Sequence, residues 1–157
     1  MATIITSIRD LPKEPGIYAM IGGRGRSGDI AYVGKTGNLR RRLDQHLIKR
    51  NSSVATGTSA VVLNVDQIKE VRWWLNPEFY DDNICEAAEL IAFDVLQPVL
   101  RSRGKSSEKS KKHFKDPDFQ ERFTRFFEGE PTGRLVLPSM ADLMERVSEL
   151  EKYVREK

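Results

Sequence analysis

An α+β domain is what this sequence predicts, and three observations carry it. Two short runs rich in β-branched and aromatic residues, Gly16 to Ile21 and Asp29 to Gly34, flank Gly22-Gly23-Arg24-Gly25-Arg26-Ser27-Gly28 and read as an antiparallel hairpin. Leu39, Leu43 and Leu47 then recur every four residues, the period of an amphipathic helix. A second helix, apolar on nearly every side, runs from Asn83 to Leu96 and is stopped by Pro98.

Asn38 caps the first helix, which is expected from about Leu39 to Arg50. Residues 51–67 are ambiguous, with Ser59 to Asn64 as a candidate short helix. Val71 to Leu75 reads as a third strand, ended by Asn76-Pro77, so a short antiparallel three-stranded sheet flanked by helices is expected. Trp73 and Trp74 alternate across that strand, which puts at least one of them in the core. The domain is expected over residues 1–101, followed by a basic loop over 102–116 and a helical extension over 117–157. In the extension Phe119, Phe123, Phe126 and Phe127 form a helical stripe suited to core packing. After Pro138-Ser139, the residues Met140, Leu143, Val147, Leu150 and Val154 follow the 3-4 spacing of a heptad seam. Residues 139–157 are therefore a candidate dimerisation helix, and packing against its own domain is the alternative.

The 157 residues, 39% of them hydrophobic, suit one compact domain with a small appendage. No apolar run approaches the ~20 residues of a membrane span, and Met1 to Ile5 lacks the basic and apolar regions of a signal peptide, so no membrane partner and an intracellular, cytoplasmic place are expected. The one cysteine, Cys85, fits a reducing compartment and reads as a small buried hydrophobe. His113 reads as a surface residue. The net charge of +3 matters less than its placement. Lys35, Arg40, Arg41, Arg42, Lys49 and Arg50 face Asp44 alone in one stretch. Arg101, Arg103, Lys105, Lys109, Lys111, Lys112 and Lys115 face Glu108 alone in another. Such segments track a polyanionic backbone by releasing its counterions, so nucleic acid is the expected partner; solvated lysine-rich surface is the bland alternative.

Two phosphate motifs fail on inspection. Gly23, Gly25 and Gly28 spell GxGxxG, but a strand rather than a helix follows. Gly34-Lys35-Thr36 resembles the end of a P-loop, yet Asp29 stands where that motif needs glycine.

The constellation that remains is Gly16-Ile17-Tyr18, Tyr32-Val33-Gly34-Lys35, Arg42, His46 and Glu89. Arg42 and His46 lie four apart beside the leucine seam, and Glu89 shares a helix face with Ala92, Phe93 and Leu96. A charge at the core margin needs a partner, so either Arg42 and Glu89 form a structural salt bridge or they flank a cleft that receives an anion.

As an ordered set these residues resemble the GIY-YIG nucleases. Gly16-Ile17-Tyr18 is similar to the first signature and Tyr32-Val33-Gly34 to the second, with Val in place of Ile. Arg42 follows at the family's interval, and His46 resembles the homing and restriction branches. Lys35 resembles the incision subunit of bacterial nucleotide excision repair and some restriction enzymes. The glutamate is placed by Leu96-Gln97-Pro98, with Glu86 as runner-up to Glu89. Arg101 departs from the asparagine that many members carry three residues after that proline.

The resemblance implies that Glu89 holds a single Mg²⁺ or Mn²⁺ per active site, which binds the scissile phosphate. It implies that Arg42 neutralises charge in the transition state, and that a phenolate from Tyr18 or Tyr32 deprotonates the water. Tyr32 beside Lys35 is the first choice, and the reverse assignment stays open. His46 is expected on the phosphate or on a tyrosine. Arg40, Arg41, Arg101, Arg103 and Lys105 are expected on the DNA backbone. The whole reads as a metal-dependent DNA endonuclease, with a restriction-like role preferred over a repair or structure-specific nicking role. A nucleic-acid-binding module without turnover is the rival reading, with the Arg101 departure in its favour.

Overall fold

The computed structural model describes residues 1–23, 28–52, 55, 64–100, 106–138 and 140–156, with the backbone only for Met140. The class is α+β, as expected, around one mixed sheet of five strands. The strands are β1 (Thr3–Ile5), β2 (Gly16–Gly22), β3 (Ile30–Thr36), β4 (Ile68–Leu75) and β5 (Gly133–Val136), in the order β1-β5-β4-β2-β3. β1 runs parallel to β5, and every other pairing is antiparallel. The helices are α1 (Leu39–Leu47), α2 (Asp82–Leu96), α3 (Glu108–Lys115), α4 (Pro117–Glu128) and α5 (Met140–Arg155).

The three expected strands are present, and two more flank them, so the three-stranded sheet is corrected to five. β1 and β5 have only three and four residues, too few to show a strand period, and they pair across most of the chain. Gly133 is required where β5 meets β4, because the Trp73 ring occupies the space a Cβ would need.

β2 is buried at all seven positions, since it lies between β3 and β4 and is covered on both faces. On one face Tyr18, Met20, Val71, Trp73 and Leu135 pack against Leu39, Leu43 and Leu47 of α1. On the other, Ile17, Ala19, Val33 and Trp74 pack against α2 and against Phe119, Phe123 and Phe127 of α4. Both tryptophans are therefore core residues, one on each face. β5 and α4 share the sheet and the core of the first hundred residues.

Asn38 caps α1 as expected, its side chain accepting from the Arg41 N–H. The helix stops at Leu47 rather than Arg50, where the backbone turns left-handed at φ 52°. Residues 108–115, expected to be loop, are helical: the Ser107 side chain accepts from the Ser110 N–H, and the lysines that follow favour helix. The candidate helix at 59–64, the hairpin tip at 24–27, and Arg101, Arg103 and Lys105 lie outside or largely outside the described residues.

Candidate active site

The site forms where α1 crosses the β2–β3 hairpin. Tyr18 points from β2, an interior strand of the sheet, toward α1 and is fully buried. Directly across the ladder stands Gly34. A Cβ there would fall 2.5 Å from the Tyr18 hydroxyl oxygen and 3.0 Å from the Tyr32 ring, so the second glycine of the constellation is the space in which the phenol sits. Tyr32, two residues earlier on β3, shares that face and is only half-buried.

His46 completes a triangle of rings, with centroids 6.1 Å apart for Tyr18–Tyr32, 5.8 Å for Tyr18–His46 and 6.0 Å for Tyr32–His46. Its Nε2 lies 2.8 Å from the Tyr18 hydroxyl, and its Nδ1 lies 2.7 Å from Ser52 Oγ. Ser52 Oγ also accepts from the Ala55 N–H at 3.3 Å. Sequence reasoning missed Ser52: a serine just past the end of a helix carries no signal of its own, and only the fold turns it back under the imidazole. Burial, and then the Arg42 charge, lower the His46 pKa to about 4, so the ring is neutral at pH 7.

Arg42, one turn before His46, acts on both phenols by charge and by hydrogen bonding, and its Nη1 donates to Gln45 Oε1 at 3.1 Å. Burial still dominates, and both tyrosines stand above the ordinary phenol value. After burial, the neighbouring phenol raises Tyr18 and the Glu89 carboxylate raises Tyr32.

Glu89 reaches the same region from α2. β3 is the last strand of the sheet, its Ile30 and Ala31 carbonyls accepting from the Val99 and Leu100 N–H groups, so the opposite layer comes up against its edge. Burial raises the Glu89 pKa to about 7, against the pull of the Lys35 ammonium and of hydrogen bonding from the Lys35 backbone, with Glu86 adding to the rise. Lys35 lies on the other face of β3 from Tyr32, and its charge acts on Glu89 and Cys85. The expected Tyr32–Lys35 proximity is therefore replaced by Lys35 facing the α2 carboxylate. No Arg42–Glu89 ion pair forms, because the guanidinium faces the phenols and the carboxylate faces the strand edge. Glu86 is engaged elsewhere, accepting the Ser107 N–H at 2.9 Å beside the start of α3. Cys85 is buried as expected, its thiol pushed up to about 12. His113 is half-buried rather than fully exposed, its ring 5.7 Å from that of Phe119.

Among the described residues no cluster of three or more His, Cys, Asp or Glu could cage a metal. A single carboxylate could serve a hard cation that keeps most of its water and takes its other oxygens from a phosphate. It does not suit zinc, which needs three or four protein ligands.

Beside the site, Arg9, Lys13, Asn38, Arg40, Arg41 and Asp44 line a cleft of about 240 Å³. Arg40 is held by a 2.8 Å bond from Nε to the Leu11 carbonyl, whereas Arg41 is exposed. Among the described residues no helix is long and apolar enough to cross a membrane.

No protein-family model matches the chain. It is 48% identical over 118 residues, 64% of its length, to UvrABC system protein C of Rhodospirillum rubrum. It is 30% identical over 124 residues, 68% of its length, to the protein of that name from Nitrobacter hamburgensis. It is 36% identical over 70 residues, 45% of its length, to the one from Legionella pneumophila strain Lens. These alignments span 18%, 17% and 10% of the respective relatives, so this chain resembles a part of UvrABC system protein C.

Proposed function

We propose that this chain is a metal-dependent endonuclease of the GIY-YIG type that hydrolyses DNA phosphodiester bonds, one strand per site. The observation that carries the reading is Glu89: a carboxylate raised to about 7 by burial, set at the edge of β3 near two phenols that share one guanidinium. Burying such a group costs stability, and a binding site for a cation is what that cost serves.

In this reading Glu89 holds one Mg²⁺ or Mn²⁺. When bound, the cation supplies positive charge beside the scissile phosphate and offsets the effect of Glu89 on Tyr32. Arg42 takes a non-bridging phosphate oxygen and stabilises the charge that builds there in the transition state. Tyr32 is the base toward water, because it is the more exposed phenol; a cation held by Glu89 would offset the carboxylate charge that raises it. Tyr18 orients Tyr32 and passes its hydroxyl hydrogen bond to neutral His46. In the tautomer with Nδ1–H donating to Ser52 Oγ, His46 Nε2 is the acceptor that Tyr18 requires. Lys35 steadies Glu89 rather than a tyrosine. Arg40 and Arg41, with the cleft they line, hold the DNA backbone, and Arg101, Arg103 and Lys105 serve that backbone by charge.

The similarity to UvrABC system protein C supports a repair-type incision and goes with the excision-repair resemblance of Lys35. A DNA substrate goes with a cytoplasmic place. A restriction-like double-strand cutter is the second reading, favoured by the exposed apolar seam of α5.

Supercoiled plasmid with MgCl₂, run beside Glu89→Ala and an EDTA control, tests the proposal. Nicked circles lost in both controls support incision, and discrete linear fragments lost in both support the restriction-like reading. Retained DNA binding with no cleavage of any tested DNA would leave a binding module.

A further inference from the structure

Among its described side chains helix α5 buries none: residues 141–156 are all exposed. Leu143, Val147, Leu150 and Val154 lie 42%, 55%, 62% and 65% exposed along one stripe, and Val147, Leu150 and Val154 line a groove with Glu151 and Arg155. Sixteen residues make a helix about 24 Å long, marginal in water unless its apolar face is covered.

We infer that α5 pairs with α5 of a second copy of this chain as a parallel two-stranded coiled coil. The charges beside the stripe select that occupant and its direction. With Val147 and Val154 at a positions and Leu143 and Leu150 at d positions, Arg146 falls at g and Glu151 at the following e. A parallel pair brings each g against the partner's following e, so two symmetric Arg146–Glu151 ion pairs close over the seam. An antiparallel pair sets g against g and e against e and never brings these two residues together. The seam chemistry agrees, since β-branched residues at a with leucine at d favour two parallel strands. Two-fold symmetry makes the contact self-complementary and closed. The contact is short, so the dissociation constant is expected on the order of micromolar or weaker. The inference stands independently of the proposed reaction, because its test needs no cleavage.

Sedimentation of the full chain from about 1 to about 500 µM should show a concentration-dependent monomer–dimer equilibrium. Arg146→Glu alone should weaken the dimer by about tenfold, and so should Glu151→Arg, because each replaces two attractive pairs by two repulsive ones. The double variant R146E/E151R should restore wild-type affinity, a rescue that a merely unfolded helix cannot give. Leu150→Cys should form an intermolecular disulfide under mild oxidation, since d faces d in a parallel pair. A chain that stays monomeric throughout would overturn the inference and leave the face to a helix of another protein. A dimer that ignores the charge swaps, or that fails to cross-link at position 150, would overturn the parallel arrangement.

Discussion

The Tyr18 hydroxyl lies 2.8 Å from His46 Nε2, and both residues are fully buried. That bond joins β2 to α1 and ties a phenol to an imidazole that burial keeps neutral. Its consequence is an acid-sensitive fold. The folded His46 value, about 4, lies below the ordinary 6.5, so its share of stability is complete above pH 6.5 and is lost as pH falls toward 4. The shift corresponds to at most roughly 3 kcal/mol. Urea melts between pH 7 and 4.5 should show this loss in the wild type, and His46→Gln should be less stable at pH 7 but much flatter across the range.

Gly34→Ala should destabilise by about 1–3 kcal/mol through overpacking, because its Cβ meets the Tyr18 hydroxyl oxygen at 2.5 Å and Cζ at 2.6 Å. Adding Tyr18→Phe removes the nearer of these atoms, so the double variant should recover part of the loss in a denaturant midpoint. A neutral Gly34→Ala would mean that the two strands separate freely.

Glu89→Gln should abolish cleavage while stabilising the protein above pH 7. The folded carboxyl titrates near 7 against an ordinary 4.5, so folding favours its protonated form, and stability declines as pH rises from 4.5 to about 7. Glutamine removes that decline, a gain of roughly 1–3 kcal/mol at pH 8 in thermal or urea unfolding. With limiting MgCl₂, wild-type cleavage should rise with pH through about 7, as the proton that competes with the cation leaves.

Arg42→Lys keeps a positive charge but loses the planar fork that reaches two phenols and an anion. Cleavage should fall by about 10²–10³ while DNA affinity changes less than threefold or so. Equal losses in binding and turnover would show that Arg42 serves affinity alone.

Ser52→Ala should lower the rate by about tenfold or less and alter its pH profile, since it removes the acceptor that sets the His46 tautomer. An unchanged profile would leave Ser52 a packing residue.

Local chemistry in the chain was enough to place the hairpin strands, the Asn38 cap, the two leucine- and alanine-rich helices and the phenylalanine stripe, because periodicity, capping and proline stops act within a few residues. It was also enough to single out Arg42, His46 and Glu89 as groups whose charge or polarity sits awkwardly beside an apolar seam, while Tyr18 and Tyr32 stood out as members of the spaced constellation. The sheet order was not legible, since β1 and β5 acquire strand character only by pairing with each other and with β4 across long sequence separations. Nor were the partners of the site. Whether Glu89 meets Arg42 or the edge of β3, whether Lys35 faces a phenol or α2, and whether a serine closes on His46 depend on which layer each element packs against. Those choices belong to the assembled core, where burying one side chain moves the protonation of the next.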